Sequence, residues 1–451
     1  MPACIPSIGC SVVLLAAASA AAGQDAVAAT ERQGAQAEKA PPAPEATDGE
    51  GDAAATSDTR HAQPHSPGHA AHNRDVFLQT HPETDTLTRH WFGLGDDLRD
   101  VGITSTLNLW TVFQANVTGG DETDEDISGL YWLANHFDLE RMAGLPGASA
   151  YALVEGGWSD GINPSVGALV NVNGTAVGDE AIGLTRLWYG QDLLEDRLRL
   201  RLGKLDITTE NFEFHGHSVA FDAMPVANSP RTQFLDSGLV NNASVPFPAA
   251  GLGAMLLVEP VERVYLAAAG VRSDADAFEF SNPFDGDTTW MVAAEAGAVV
   301  PFGDDAQAGL YYAGYWYSEF PSEPSGWGLY LGAAQRLFRE TETNDQGLSV
   351  FARYGYADDA PSGIRHSWSL GGEYRGLLPG RDEDVLALGW SQAFTDGTAF
   401  SAPYEGVLEC YYRARITPWF HVSPHVQYIA NPGSQDSEDA VTIGVRAQVT
   451  F

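Results

Sequence analysis

A two-residue rhythm of apolar and polar side chains constrains this chain more than any other feature. It is clearest at 440–451, AVTIGVRAQVTF. Val441, Ile443, Val445, Ala447, Val449 and Phe451 fall on one face, and Thr442, Gly444, Arg446, Gln448 and Thr450 on the other. A period of two belongs to a β-strand, whose pleat sends alternate side chains to opposite sides. One face can meet hydrocarbon while the other stays wet. The same rhythm runs through 102–117, 131–139, 150–158, 184–189, 197–205, 253–258, 264–272 and 290–300. It continues at 309–317, 328–337, 348–356, 367–375, 385–394, 407–416 and 421–429. Clusters of Gly, Asp, Asn and Pro separate these runs and read as turns, giving about 16 or 17 strands.

An even count near sixteen suits one closed sheet, so the expected fold is all-β. It is a transmembrane antiparallel up-and-down β-barrel over 86–451, opened by a short N-terminal periplasmic helix. The aromatic carboxy terminus, Phe451 at the end of an amphipathic strand, resembles the terminal signature of bacterial outer-membrane barrels. After the first two dozen residues no apolar run is long enough for a spanning helix. A mean hydropathy of -0.17 is compatible with strands that hide their apolar face from averages.

The net charge is -36, with only two lysines, Lys39 and Lys204, so nucleic acid is excluded as a partner. The acidic residues are expected in solvated loops, where some could bridge divalent cations at a lipopolysaccharide surface. Cys4 and Cys10 precede the barrel and leave Cys410 alone in it, so there is neither a disulfide framework nor a Cys-based metal site.

In chain order, 1–23 has an apolar core over 11–22 that ends in small residues, the pattern of a cleaved secretory leader, although no Lys or Arg precedes the core. Residues 24–85 are rich in Ala, Pro, Glu, Asp and Gly and read as a disordered tether able to reach the cell wall. His61, His65, His69 and His72 could bind a metal loosely, but no carboxylate or Cys ligand sits at a closing distance, so the tract reads as linker. Over 86–102, Leu87, Trp91, Leu94, Leu98 and Val101 recur at helical spacing and Gly102 fits a C-terminal cap. Alternation fails over 211–249, a long Pro-, Asn- and Ser-rich loop that either folds into the lumen or makes a surface excursion.

Particular phrases then carry a resemblance. Glu409, Tyr411, Thr417, Pro418 and Trp419 fill an E-x-Y-x-x-x-x-T-P-W stretch. Pro424, Gln427, Tyr428, Ile429, Asn431, Pro432 and Gly433 fill a P-x-x-Q-Y-I-x-N-P-G stretch. Together they resemble the near-terminal signature of the OprB family of carbohydrate-selective porins. WFGLGDDLRDVGI from Trp91, RLGKLDITTENFEF from Arg201, GLSVFARYGYAD from Gly347 and YRGLLPGRDEDVLALG from Tyr374 are similar to the same family, in family order over 87–451. The resemblance implies a monomeric or trimeric outer-membrane barrel of about sixteen strands that lets small carbohydrates cross, with no cofactor. The long acidic, His-bearing leader segment and the scarcity of Lys depart from the family.

Charged side chains on a barrel strand belong inside, since an Arg facing lipid at mid-depth costs roughly 2–4 kcal/mol. Leu198, Leu200 and Leu202 therefore point outward and Arg197, Arg199 and Arg201 inward. The same phasing sends Arg353, Glu373, Arg375, Glu409, Tyr411, Arg413 and Arg415 to the lumen, followed by His421, His425 and Gln427. Opposed Arg and Glu at a narrowing offer donors and acceptors to neutral polyols, and Tyr411 could stack on a pyranose. Alternatively, these charges satisfy one another and keep the lumen wet. No nucleophile and base pair, metal-ligand motif or Gly-rich phosphate loop appears, so the chain reads as a channel and not an enzyme. The competing function is a general or ion-selective outer-membrane diffusion channel.

Overall fold

The computed structural model describes residues 86–179, 182–208, 226–279, 288–302, 307–321, 323–341, 345–358, 362–397 and 399–451. The expected leader, tether and His tract lie outside the described residues, as does the 209–225 part of the long loop.

Sixteen strands close on themselves in sequence order, each antiparallel to its neighbours. The first five are β1 Ile103–Thr118, β2 Asp124–Asp138, β3 Ala148–Trp158, β4 Gly183–Leu193 and β5 Leu198–Leu205. Then come β6 Gly251–Val261, β7 Val264–Arg272, β8 Trp290–Phe302, β9 Gln307–Phe320 and β10 Glu323–Arg339. The set ends with β11 Gly347–Asp358, β12 Ile364–Arg375, β13 Val385–Thr395, β14 Tyr404–Thr417, β15 Phe420–Ala430 and β16 Ala440–Thr450. Every alternating run in the sequence is one of these strands. β1 pairs with β16 from Asn108 opposite Thr450 to Asn116 opposite Thr442, so no sheet edge is left to the membrane.

Alternation sets what each face meets. Leu256, Leu266, Leu329, Leu370, Leu388, Leu408 and Ile443 are exposed on the outer wall, whereas Trp110, Trp132, Tyr265, Trp316, Glu409 and Arg446 are buried on the inner one. Connections at the end that holds both barrel termini are short, the periplasmic pattern; the long connections, 159–182 and 206–250, leave the opposite end.

The segment before β1 differs from the single amphipathic helix expected over 86–102. Arg89 to Phe92 have φ between 51° and 61°, a left-handed turn, and Gly93 at φ 92° reverses the chain. Only α1, Leu94–Asp100, is a right-handed helix, with Asp96 and Asp97 in its first turn, where carboxylates suit the helix dipole. The 3.6-residue spacing was a poor guide because Gly93 breaks the helix that the pattern joined. The Leu87 N–H donates to Thr450 O at 2.9 Å, tying this segment to the periplasmic end of β16. The turn after β2 holds α2, Leu139–Ala143, whose Arg141 N–H is capped by Asp138 at 3.1 Å.

On β7 to β10, inward aromatic rings lie over glycines on the neighbouring strand. Tyr265 is paired with Gly297 and Tyr330 with Gly314. A Cβ on Gly314 would overlap the Tyr330 ring, and one on Gly297 the Tyr265 hydroxyl. Glycine is required there because a flat ring occupies the space of a side chain. Gly314→Ala is expected to cost about 1–3 kcal/mol through overpacking, read as a lower temperature at which the folded band is lost on unheated gels. In a Tyr330→Ala background the cost of Gly314→Ala should shrink, and an undiminished cost there would count against the contact.

Candidate functional site

The long loop enters the barrel. Its described part, 226–250, lies against the lumenal side chains of β11 to β16, and Phe234, Leu235, Asp236, Leu239 and Val240 are fully buried. Irregular backbone inside a barrel needs a partner for each N–H and C=O. Strand side chains supply them. From β11, Arg353 donates to Leu239 O at 2.7 Å and Ala227 O at 2.5 Å. From β16, Arg446 donates to Pro230 O at 2.6 Å and Gln233 O at 2.8 Å. From β14, the two Glu409 oxygens accept the N–H groups of Leu235 and Asp236 at 2.8 and 2.9 Å. From β12, Glu373 accepts the Ala227 N–H at 3.3 Å, the Gln233 amide at 3.1 Å and the Tyr411 hydroxyl at 3.0 Å. Guanidinium groups hold carbonyls and carboxylates hold amides, each sign with the dipole end that suits it.

Local sequence shapes the held segment. Asp236 caps α4, Ser237–Val240, by accepting the Leu239 N–H at 2.9 Å, and the same oxygen accepts the Ser391 hydroxyl at 2.8 Å. Phe234 packs edge-on against Tyr411 at 5.0 Å and beside Phe351 at 5.9 Å. Burial and neighbouring Glu409 hold the Asp236 carboxyl well above the usual carboxylate range.

The 159–182 loop, which carries α3, Asn163–Val166, leans on the first one. Its Leu169 and Val170 N–H groups donate to Glu405 of β14 at 2.6 and 2.9 Å, and Gln427 of β15 donates to Val172 O at 2.7 Å. The two loops are joined by Gly174 N–H to Leu235 O at 2.8 Å and Ser237 N–H to Asn171 O at 2.9 Å.

Across the lumen, β2 to β5 present aromatic rings beneath guanidinium groups. Arg231 of the long loop lies 3.9 Å from the centre of the Trp132 ring, and Arg186 of β4 lies 5.3 Å from it. Arg201 covers Trp188 at 4.5 Å, and Trp188 stacks on Tyr151. Arg186 pairs with Asp206 at 2.9 Å, and Glu155 accepts the Thr185 hydroxyl at 3.1 Å. Burial pushes the Arg231 guanidinium down to about 10, against the upward pull of Glu155 and Asp206, so it stays charged at neutral pH.

Residues 124–324 and 318–451 match the family described as carbohydrate-selective porin, OprB family. The chain belongs to this family. Porin B of Pseudomonas aeruginosa is 22% identical over 446 residues, 85% of this chain and 94% of that one. The solved high-pH structure of Pseudomonas putida OprB matches with a TM-score of 0.70 at 18% identity, over 82% of this chain and 99% of that one. The low-pH structure of the same protein matches at 0.55. These are likenesses of fold. This OprB-family porin is an outer-membrane channel and not an enzyme.

The lumenal residues named from the sequence of this porin fall into three groups. Arg353, Glu373, Glu409 and Tyr411 are engaged with the in-folded loop, and Tyr411 is 1% exposed, so its ring is covered by protein. Arg199 pairs with Glu259 at 3.3 Å near the periplasmic end, and Arg201 lies over Trp188. Arg375 and Arg415 share Glu383 at 3.1 and 3.5 Å, while Arg413 donates to Gln448 at 3.2 Å. Arg197 is elsewhere: it is exposed in the turn before β5, because the strand begins one residue later than the alternation suggests. Trp132, Glu155, Arg186 and Trp188 are not among those named, although each sits on a strand where the same inward phasing applies, and Arg446 is placed on the wet face without a role. Arg231 had no such signal, since its segment does not alternate.

Glu409→Ala leaves two loop amides and the His425 and Gln427 contacts without their acceptor, at roughly 3–5 kcal/mol for a buried charged group. Proteolysis near 226–250 should accelerate, and single-channel conductance should rise; unchanged values in a folded barrel would refute the anchoring. Asp236 gives a pH dependence. Its raised pKa means the docked loop binds the proton more tightly than the released one, so docking weakens as pH rises above about 4, the free-carboxyl value. In Asp236→Asn the protease-protection profile should lose that component of its slope.

Proposed function

We propose that this porin conducts small neutral sugars by passive diffusion, through a lumen narrowed where the in-folded loop reaches the β2 to β5 wall. The observation that carries this reading is Arg231, held over Trp132 beside Arg186, Asp206 and Glu155. Donors and acceptors of opposite charge alternate there. A sugar hydroxyl both donates and accepts, so it can exchange water for such groups at little net cost. The charged residues of β11 to β14 then shape the narrowing through the loop they hold, and the sugar-contacting role passes largely to the opposite wall. The name of the Pseudomonas relatives' family supports the same substrate class. In this reading 1–23 is a secretory leader and 24–85 a periplasmic tether.

Liposome swelling with a graded series of mono-, di- and trisaccharides tests the proposal. Rates should fall steeply with sugar size in the unaltered porin. Arg231→Ala should flatten that dependence and raise the glucose concentration for half-block of ion current roughly tenfold, the effect of losing one charge-assisted hydrogen bond of about 1.5 kcal/mol. A channel that admits amino acids and ions as it does sugars of equal size, with no block by glucose, is a general diffusion pore instead.

A further inference from the structure

We propose that the periplasmic half of the lumen carries a binding site for an oxyanion, the carboxylate or phosphate of an acidic sugar, centred on Arg413. Arg413 and Arg415 follow Glu409 and Tyr411 on the inward face of β14, beyond the row that holds the loop. Strand register brings Arg375 alongside, since Arg375 and Arg413 both stand opposite Val385, one from each side. His421 faces Arg415 from β15, and Gln448 faces His421 from β16. Arg413 lies within the electrostatic reach of Arg375, Glu373 and Arg415, and His421 within that of Arg413, Arg415, Asp384 and Arg446.

The belt is short of negative charge. Among the described residues, Glu383 is the carboxylate paired with the guanidinium groups of Arg375 and Arg415. Asp384 is taken by Arg381, by the Tyr412 hydroxyl and by the Arg415 N–H. Glu373 is occupied by Tyr411 and the loop. Arg413 is left, among the described residues, with the neutral amide oxygen of Gln448 at 3.2 Å. The side chains of Arg375 and Arg415 are about a third exposed, so a solute in the lumen can reach them. Planar guanidinium forks match carboxylate and phosphate oxygens in pairs. The outer rim is the reverse: Asp121, Glu122, Asp124 and Glu125 are exposed at the extracellular end of β1 and β2.

The inference rests on reading the lumen as a sugar path and adds a class of solute to it. Purified full-length porin in planar bilayers separates the two. In a potassium chloride gradient the reversal potential should report anion preference despite the acidic chain. Glucuronate should block the current at concentrations at least tenfold below those needed for glucose, and inorganic phosphate should compete with it. Arg413→Gln should weaken glucuronate block about tenfold, leave glucose block unchanged and reduce the anion preference, while Arg413→Lys should retain most of that preference. Single-channel records come only from inserted barrels, so misfolding cannot imitate the result. Cation preference, equal block by glucuronate and glucose, or an Arg413→Gln channel still blocked by glucuronate would each overturn the oxyanion site. Block by phosphate without block by glucuronate would overturn its assignment to acidic sugars. Loss of glucose passage in liposomes would instead strike at the sugar-channel reading itself.

Discussion

The organisation of this porin depends on how a barrel interior satisfies peptide groups that no strand neighbour can reach. The segment 226–250 crosses the lumen without a ladder to pair with, and an unmatched buried N–H or C=O costs about 1–3 kcal/mol. Arg353, Glu373, Glu409 and Arg446 remove that cost, and their own burial is tolerated because each is bonded to backbone dipoles of the appropriate sign. Neither partner is stable there alone: the loop needs the charges, and the charges need the loop. The narrowing of the pore therefore follows from wall chemistry as much as from loop length.

Three sectors of the wall do different things with the same inward register. On β11 to β16 the inner face is charged and grips backbone. On β7 to β10 it is aromatic, with Tyr265 and Tyr330 laid over Gly297 and Gly314, and the loop's Phe247 and Val245 pack against that cluster. Between β2 and β5 the inner face combines indole rings with Arg186, Arg201 and the loop's own Arg231. The outer face is uniform in comparison, because hydrocarbon makes one demand on every strand.

That uniform demand explains how much was legible in the sequence. Apolar side chains at every second position set the phase of the strands, and all sixteen follow from it, together with the inward direction of Arg353, Glu409 and Arg413. Arg197 shows the precision of the rule, since a strand that starts one residue later leaves a terminal charge in a turn. The segment 86–102 shows its limit, as apolar spacing could not reveal the left-handed turn ending at Gly93. What the lumenal charges touch was hidden for a different reason. Their partners are main-chain atoms of a segment with no period, and backbone positions leave no mark in residue type. Phase gives a direction, while a contact also requires knowing which chain arrives from the other side.

The wall holds the loop by its carbonyls and amides as well as by its buried side chains, and the first kind of hold does not depend on residue type. Arg446 binds the oxygens of Pro230 and Gln233, and Arg353 those of Ala227 and Leu239, whatever those residues carry beyond Cα. Substitution at Arg231 can thus alter what passes while the loop backbone stays in place. Such an arrangement separates frame from filter: the strands secure a backbone, and the groups a passing solute meets are hung on it afterwards.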